Sequence, residues 1–158
     1  MTNGNGALEG TVSSYNTTWD ASIYPVSNAA PREFDGPQNT TNSIALSGTS
    51  YSYNGDQVCH DGYTSGVICG IQVDNDDVWT TLGAARYAAF DARGVWGHQV
   101  NGSIAVRNGD SGGLVFSVNG DTRVVRGIVS ADYQGNSNRM FWTEANDIYK
   151  AFGVHLAS

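Results

Sequence analysis

From residue 43 onward, short β-rich runs alternate with turn clusters, and helical periodicity is nearly absent until the C-terminal end. The runs fall at 44–46, 57–59, 67–73, 78–82, 84–90, 113–118 and 122–129. Runs this short, spaced by roughly 8–12 residues and punctuated by Gly, Asn and Asp, build an antiparallel barrel or sandwich. Asn119-Gly120 between two apolar runs is a strong hairpin signal. Upstream, residues 7–24 read as two short strands, 8–12 and 21–24, joined by a polar turn over 13–18. Residues 25–42 hold all three prolines and read as a surface linker. Only 143–152 has helical spacing, with apolar residues at 145, 148, 149 and 152. Thr143 is placed to cap that helix and Gly153 to stop it. The expectation is one all-β domain with a C-terminal helix; 158 residues suffice for a real core.

Charge and cysteine content narrow the function. The net charge is −7, which argues against nucleic acid or an anionic membrane as partner. No run of about 18 apolar residues exists to span a bilayer. The chain opens on Met1-Thr2-Asn3-Gly4-Asn5-Gly6, polar and glycine-rich like a cut end, with no signal peptide. A secreted, extracellular protein fits this composition. Cys59 and Cys69 are the two cysteines. Reduced thiols are one reading, but β-type residues flank the pair and two glycines lie between them. A hairpin closed by a disulfide is therefore the better one. A metal site needs four ligands, and His60 alone stands near; no metal and no cofactor is implied.

One stretch carries chemistry: Gly109-Asp110-Ser111-Gly112-Gly113, followed by the apolar run Leu114-Val115-Phe116. Glycines on both sides of a serine permit a tight turn that presents a hydroxyl and aims backbone N–H groups at one point. An ordinary turn between strands has a similar composition. The five-residue string is more specific. It resembles the nucleophile motif of chymotrypsin-like serine proteases. The segment Cys59–Cys69 resembles the disulfide hairpin of the bacterial secreted branch, which includes streptogrisins and α-lytic protease. Gly127-Ile128-Val129-Ser130 resembles the strand beside a bound substrate, and Phe152-Gly153-Val154 the end of the terminal helix.

The resemblance implies a chymotrypsin-like antiparallel β-barrel: a complete second barrel plus the end of the first, with a C-terminal α-helix. Residues 1–30 would be the remnant of the N-terminal barrel, 31–42 the interdomain linker, and 43–158 the C-terminal barrel and helix. The implied activity is serine endopeptidase chemistry on a polypeptide substrate, with Ser111 as nucleophile. The N–H groups of Gly109 and Ser111 would form the oxyanion hole. Asp20, opening a short apolar strand after Trp19, would orient the imidazole, and Ser130 would position Asp20 and the substrate. The histidine departs from the pattern. It should precede Asp20 in a Thr-Ala-x-His-Cys-like string, whereas His60, His98 and His155 all follow. The resemblance thus implies a fragment, a misplaced start, or half of a split enzyme whose partner carries the histidine. A protease-like binding module is the rival from a different class. An apolar rim left by the absent barrel half would favour self-association.

Further departures bear on specificity and on the site's support. Ala105, six residues before the serine, is no acid, so nothing there favours Lys or Arg. Asn108 and Arg107 stand where the family has a cysteine and its neighbour. Asp132 takes a place often held by Gly beside the substrate backbone, where it would disfavour acidic side chains or narrow the cleft; a solvated loop Asp reads equally well. Asp110 should turn inward and need a partner. Related bacterial chains supply an Arg after the first cysteine of the hairpin. Here His60 holds that place, which implies a His60–Asp110 pair and a raised His60 pKa.

Overall fold

The alternation of apolar and polar residues resolves into ten strands and one helix in the computed structural model, which describes residues 10–83 and 88–157. A two-stranded antiparallel sheet, β1 (Ser14–Asn16) and β2 (Ala21–Ile23), comes first, with Ser14 opposite Ile23. The remaining strands are β3 (Arg32–Phe34), β4 (Ser43–Thr49), β5 (Gln57–Gly62), β6 (Gly66–Leu82), β7 (Phe90–Gln99), β8 (Leu114–Asn119), β9 (Thr122–Tyr133) and β10 (Asn136–Glu144). They form one sheet in the order β10-β7-β6-β5-β8-β9-β4-β3, and β10 also pairs with β9. That extra pairing closes six antiparallel strands, β5 to β10, into a ring. Strand β9 is long enough to serve two neighbours on one edge. Its first half pairs with β4, in parallel, and its second half with β10.

The ring encloses the core. On β9 the side chains of Val125 and Val129 point inward while their neighbours are half-buried, the period of two expected of a strand with one covered face. Val58, Ile71, Val95, Val115, Met140 and Trp142 meet there. Trp142 is fully buried, and its indole N–H donates to Ser52 Oγ at 3.3 Å. Truncating such a side chain costs about 3–5 kcal/mol.

Several expectations change. Runs 67–73 and 78–82 are parts of one strand, β6, kinked by register shifts near Asn75. The expected strands 8–12 and 84–90 lie partly outside the described residues; of their described parts, residues 10–12 and 88–89 are not strand and Phe90 opens β7. The expected turn 13–18 contains β1, because its polar side chains face solvent on a hairpin. The Gly94–Gly97 stretch lies in the middle of β7 despite its two glycines. The supposed linker contains β3, which pairs with β4. Strand β10 was not foreseen. The Asn119-Gly120 hairpin does form, with Asn119 opposite Thr122.

Helix α1 (Ala145–Phe152) ends as expected on a left-handed Gly153. Its N-cap is Glu144 rather than Thr143, and no side chain caps it. Thr143 is instead buried in β10. The Tyr51 hydroxyl donates to Asp147 at 2.8 Å and accepts from Lys150 at 2.6 Å, which ties the helix to the barrel.

Candidate active site

The serine turn precedes β8 and is fixed from two sides. Gly112 N–H donates to Val129 O at 2.7 Å and Val129 N–H to Gly113 O at 2.9 Å, so the turn is stitched to β9. From below, Asp110 is fully buried. Its carboxylate accepts from Thr64 N (3.1 Å), Ser65 N (2.9 Å), Ser65 Oγ (2.6 Å) and Arg107 N (2.8 Å). Four donors satisfy a buried carboxylate without any cation. Gly109 has φ +98, and a Cβ there would stand 2.3 Å from Thr64 Oγ1. Only glycine fits both the backbone and the space.

The expected His60–Asp110 hydrogen bond is not formed. His60 is fully buried and its Nε2 lies 2.8 Å from Ala105 O. Burial lowers its pKa, against smaller opposing effects of the Ala105 carbonyl and the nearby Asp110 charge. The expected rise is therefore reversed, because desolvation of the imidazolium outweighs the carboxylate. The residues that hold Asp110, Thr64 and Ser65 at the tip of the disulfide hairpin, were missed. A pair of hydroxyl side chains within the hairpin turn was the available signal. The disulfide itself, Cys59–Cys69, is formed between residues facing each other on β5 and β6.

Ser111 is exposed on this turn, and its Oγ donates to Ser130 O at 2.9 Å. Among the described residues, neither Gly109 N–H nor Ser111 N–H is engaged inside the protein. Both remain available to an incoming oxygen. Asp20 closes the β1–β2 turn, with φ +41 and its N–H donating to Thr17 O at 3.2 Å. Burial raises its pKa, and the Ser130 hydroxyl beside it works in the opposite direction. Ser130 Oγ is buried without a close hydrogen-bond partner, so the approach to Asp20 is loose. Ser130 thus touches the nucleophile through its carbonyl and faces the carboxylate with its hydroxyl. Neither His60 nor His98 reaches Ser111; His98 Nδ1 is 2.7 Å from Asp74, and His155 is exposed beyond the helix.

Two pockets share Ser130, Ala131 and Asp132 as a common wall. One, of about 340 Å³, adjoins Ser111 and includes Val106, Arg107, Asn108, Gly109 and Ser137. The other, of about 620 Å³, adjoins Asp20 and is bounded by Thr80, Thr81, Leu82 and Phe90. Asn108 is exposed on the first, and its carbonyl accepts from Thr64 Oγ1 at 2.9 Å. Ala105 does not line that pocket as expected. It is fully buried beneath it, its N–H donating to Ser137 O at 2.8 Å. Asp132 is exposed on the shared wall.

No protein-family model matches the chain, and no curated protein matches it by sequence. Solved structures do match. Cellulomonas bogoriensis chymotrypsin superposes with a TM-score of 0.69 at 17% identity, over 94% of this chain and 75% of that one. A glutamic acid specific serine protease that uses a histidine triad in substrate binding gives 0.70 at 18%, over 99% and 78%. Thermobifida fusca protease A gives 0.67 at 21%, over 94% and 74%. At such identities the likeness is one of backbone architecture, and it takes in the ring of strands and the terminal helix alike: the chain has the fold of the bacterial chymotrypsin-like serine proteases.

Proposed function

We propose that this chain carries the nucleophile side of a serine endopeptidase. The observation that carries the proposal is Ser130, which contacts Ser111 through its carbonyl and faces Asp20 with its hydroxyl. In the reaction Ser111 Oγ attacks a peptide carbonyl, and the N–H groups of Gly109 and Ser111 hold the oxyanion. A histidine takes the serine proton and passes it to the leaving amine, while Asp20 orients the imidazole. That histidine would come from a further segment or a partner chain. On this reading residues 1–30 are the end of a first barrel, 31–42 the connection, and 43–158 the second barrel. The matched proteases, of which this chain spans about three quarters, support it. The disulfide fits an oxidising, extracellular setting.

A protease-like binding module is the second reading. The Ser111 hydroxyl donating to a carbonyl, with no described histidine beside it, favours this alternative. A fluorophosphonate probe separates the two. The chain alone should label weakly, since a serine without a base stays protonated. Labelling of Ser111 should appear once a segment bearing a Thr-Ala-x-His-Cys-like string is supplied in trans. Silence in both samples would remove the peptidase reading and leave the binding module. Brisk peptide turnover by the chain alone, lost in Ser111→Ala, would instead reveal a base within it.

A further inference from the structure

We propose that the pocket beside Ser111 selects a cationic side chain, arginine or lysine, and that Asp132 is the residue that selects it. The inference rests on the peptidase reading for its meaning as substrate preference, but the pocket's chemistry stands without it. Asp132 is exposed on the wall shared by both pockets. Among the described residues its carboxylate has no ion pair and no side-chain hydrogen bond. Among the described residues that line this pocket the one guanidinium is that of Arg107, and it makes no ion pair with Asp132. Arg107 Nη1 donates to Ser65 Oγ at 2.9 Å, and Arg107 also borders a separate groove with Val67, Ile68, Ser103 and Ile104. Its backbone N–H serves Asp110. The remaining walls, Val106, Ala131 and Ser137, are neutral. An unpaired carboxylate over apolar and hydroxyl walls suits a flat, delocalised cation, which it can hold by paired charge-assisted hydrogen bonds. Acidic side chains meet repulsion there. The matched protease specific for glutamic acid uses a histidine triad in substrate binding; no described histidine lines this pocket.

The test uses p-aminobenzamidine on the chain as it stands, with benzamide and benzoate as neutral and anionic counterparts. Binding is followed by fluorescence and mapped by amide chemical shifts. The amidine should bind about tenfold tighter than either counterpart, as expected of a charge-assisted pair in a half-enclosed site. Shifts should cluster at 106–111 and 130–132. Asp132→Asn should abolish the preference, and Asp132→Lys should transfer it to benzoate; both substitutions lie on the surface, so folding is preserved. Equal binding of the three compounds, no binding, or an amidine preference surviving in Asp132→Asn would each overturn the proposal. So would shifts confined to Thr80, Thr81 and Phe90. Fluorophosphonate labelling reads the Ser111 hydroxyl and amidine binding reads the Asp132 carboxylate, so a failure of labelling and a failure of this proposal are read separately.

Discussion

At the scale of single residues, the serine turn depends on contacts that cross the chain. Asp110 gathers four donors, three of them backbone or hydroxyl groups at the hairpin tip. Removing the carboxylate leaves those donors buried without an acceptor, each a cost of about 1–3 kcal/mol when no water replaces it. Asp110→Ala should therefore lower stability by about 3 kcal/mol or more in urea unfolding; a loss within about 0.5 kcal/mol would mean that water substitutes freely. Gly109 offers a second, independent check. An alanine there meets both a left-handed φ and Thr64 Oγ1 at 2.3 Å. Gly109→Ala should cost about 2 kcal/mol or more, and Thr64→Ala should return the steric part but not the backbone part. The coupling is measured by a double-mutant cycle and should exceed about 0.5 kcal/mol. Additive costs would place the whole effect in the backbone.

Among the elements, the disulfide hairpin of β5 and β6 supports the nucleophile. Cys59–Cys69 closes the loop whose tip carries Thr64 and Ser65. Closing a loop of this size restricts the unfolded chain by about 2–3 kcal/mol. Reduction should lower stability by that amount and speed amide exchange at Thr64 and Ser65. Unchanged exchange at these two amides would show that the hydroxyls hold the turn without the crosslink. How much of this was legible in the sequence follows from how local each signal is. The serine string, the cysteine pair, the Asn119-Gly120 turn and the Gly153 stop are each written within a few residues. Strand β10 was not, because Met140, Phe141, Trp142, Thr143 and Glu144 are all buried and show no alternation. Nor does the sequence show why Gly94 is needed: a Cβ there would stand 2.2 Å from Trp142 O, so the glycine permits a strand to lie close. The acidic run Asp74–Asp77 interrupts the apolar pattern of β6 without ending the strand. The hairpin donors to Asp110 lie 45 and 46 residues away from it, a distance no local pattern encodes.

For the whole molecule, buried ionisable groups make stability depend on pH in opposed directions. His60 has a lowered folded pKa. As pH falls below about 6.5 the unfolded chain takes up a proton first, and stability is lost until the folded value is passed. Glu33 and Glu144 run the other way. Burial is the main cause for both, raising each from 4.5 to about 8. Asp35 and Asp61 add to the rise at Glu33, whereas Arg123 opposes it. Hydrogen bonding from Ser52 opposes the rise at Glu144. Both oxygens of Glu33 and Oε2 of Glu144 are buried without partners, as suits carboxyls held neutral. Their contribution is complete below about 4.5 and is lost as pH climbs to about 8. Each group has a limiting slope of about 1.4 kcal/mol per pH unit. Asp61, raised to about 6 mainly by burial, adds to the acidic side over a lower window. Two glutamates outweigh one imidazole, so stability should decline from about pH 5 to about pH 8. The pair Glu33→Gln and Glu144→Gln should flatten that decline, leaving the imidazole's rise exposed, and His60→Gln should then remove the rise while keeping a donor toward Ala105. Urea midpoints across this range read all three proteins. A glutamine pair whose profile runs parallel to the parent would show that the two glutamates are ionised in the fold at neutral pH.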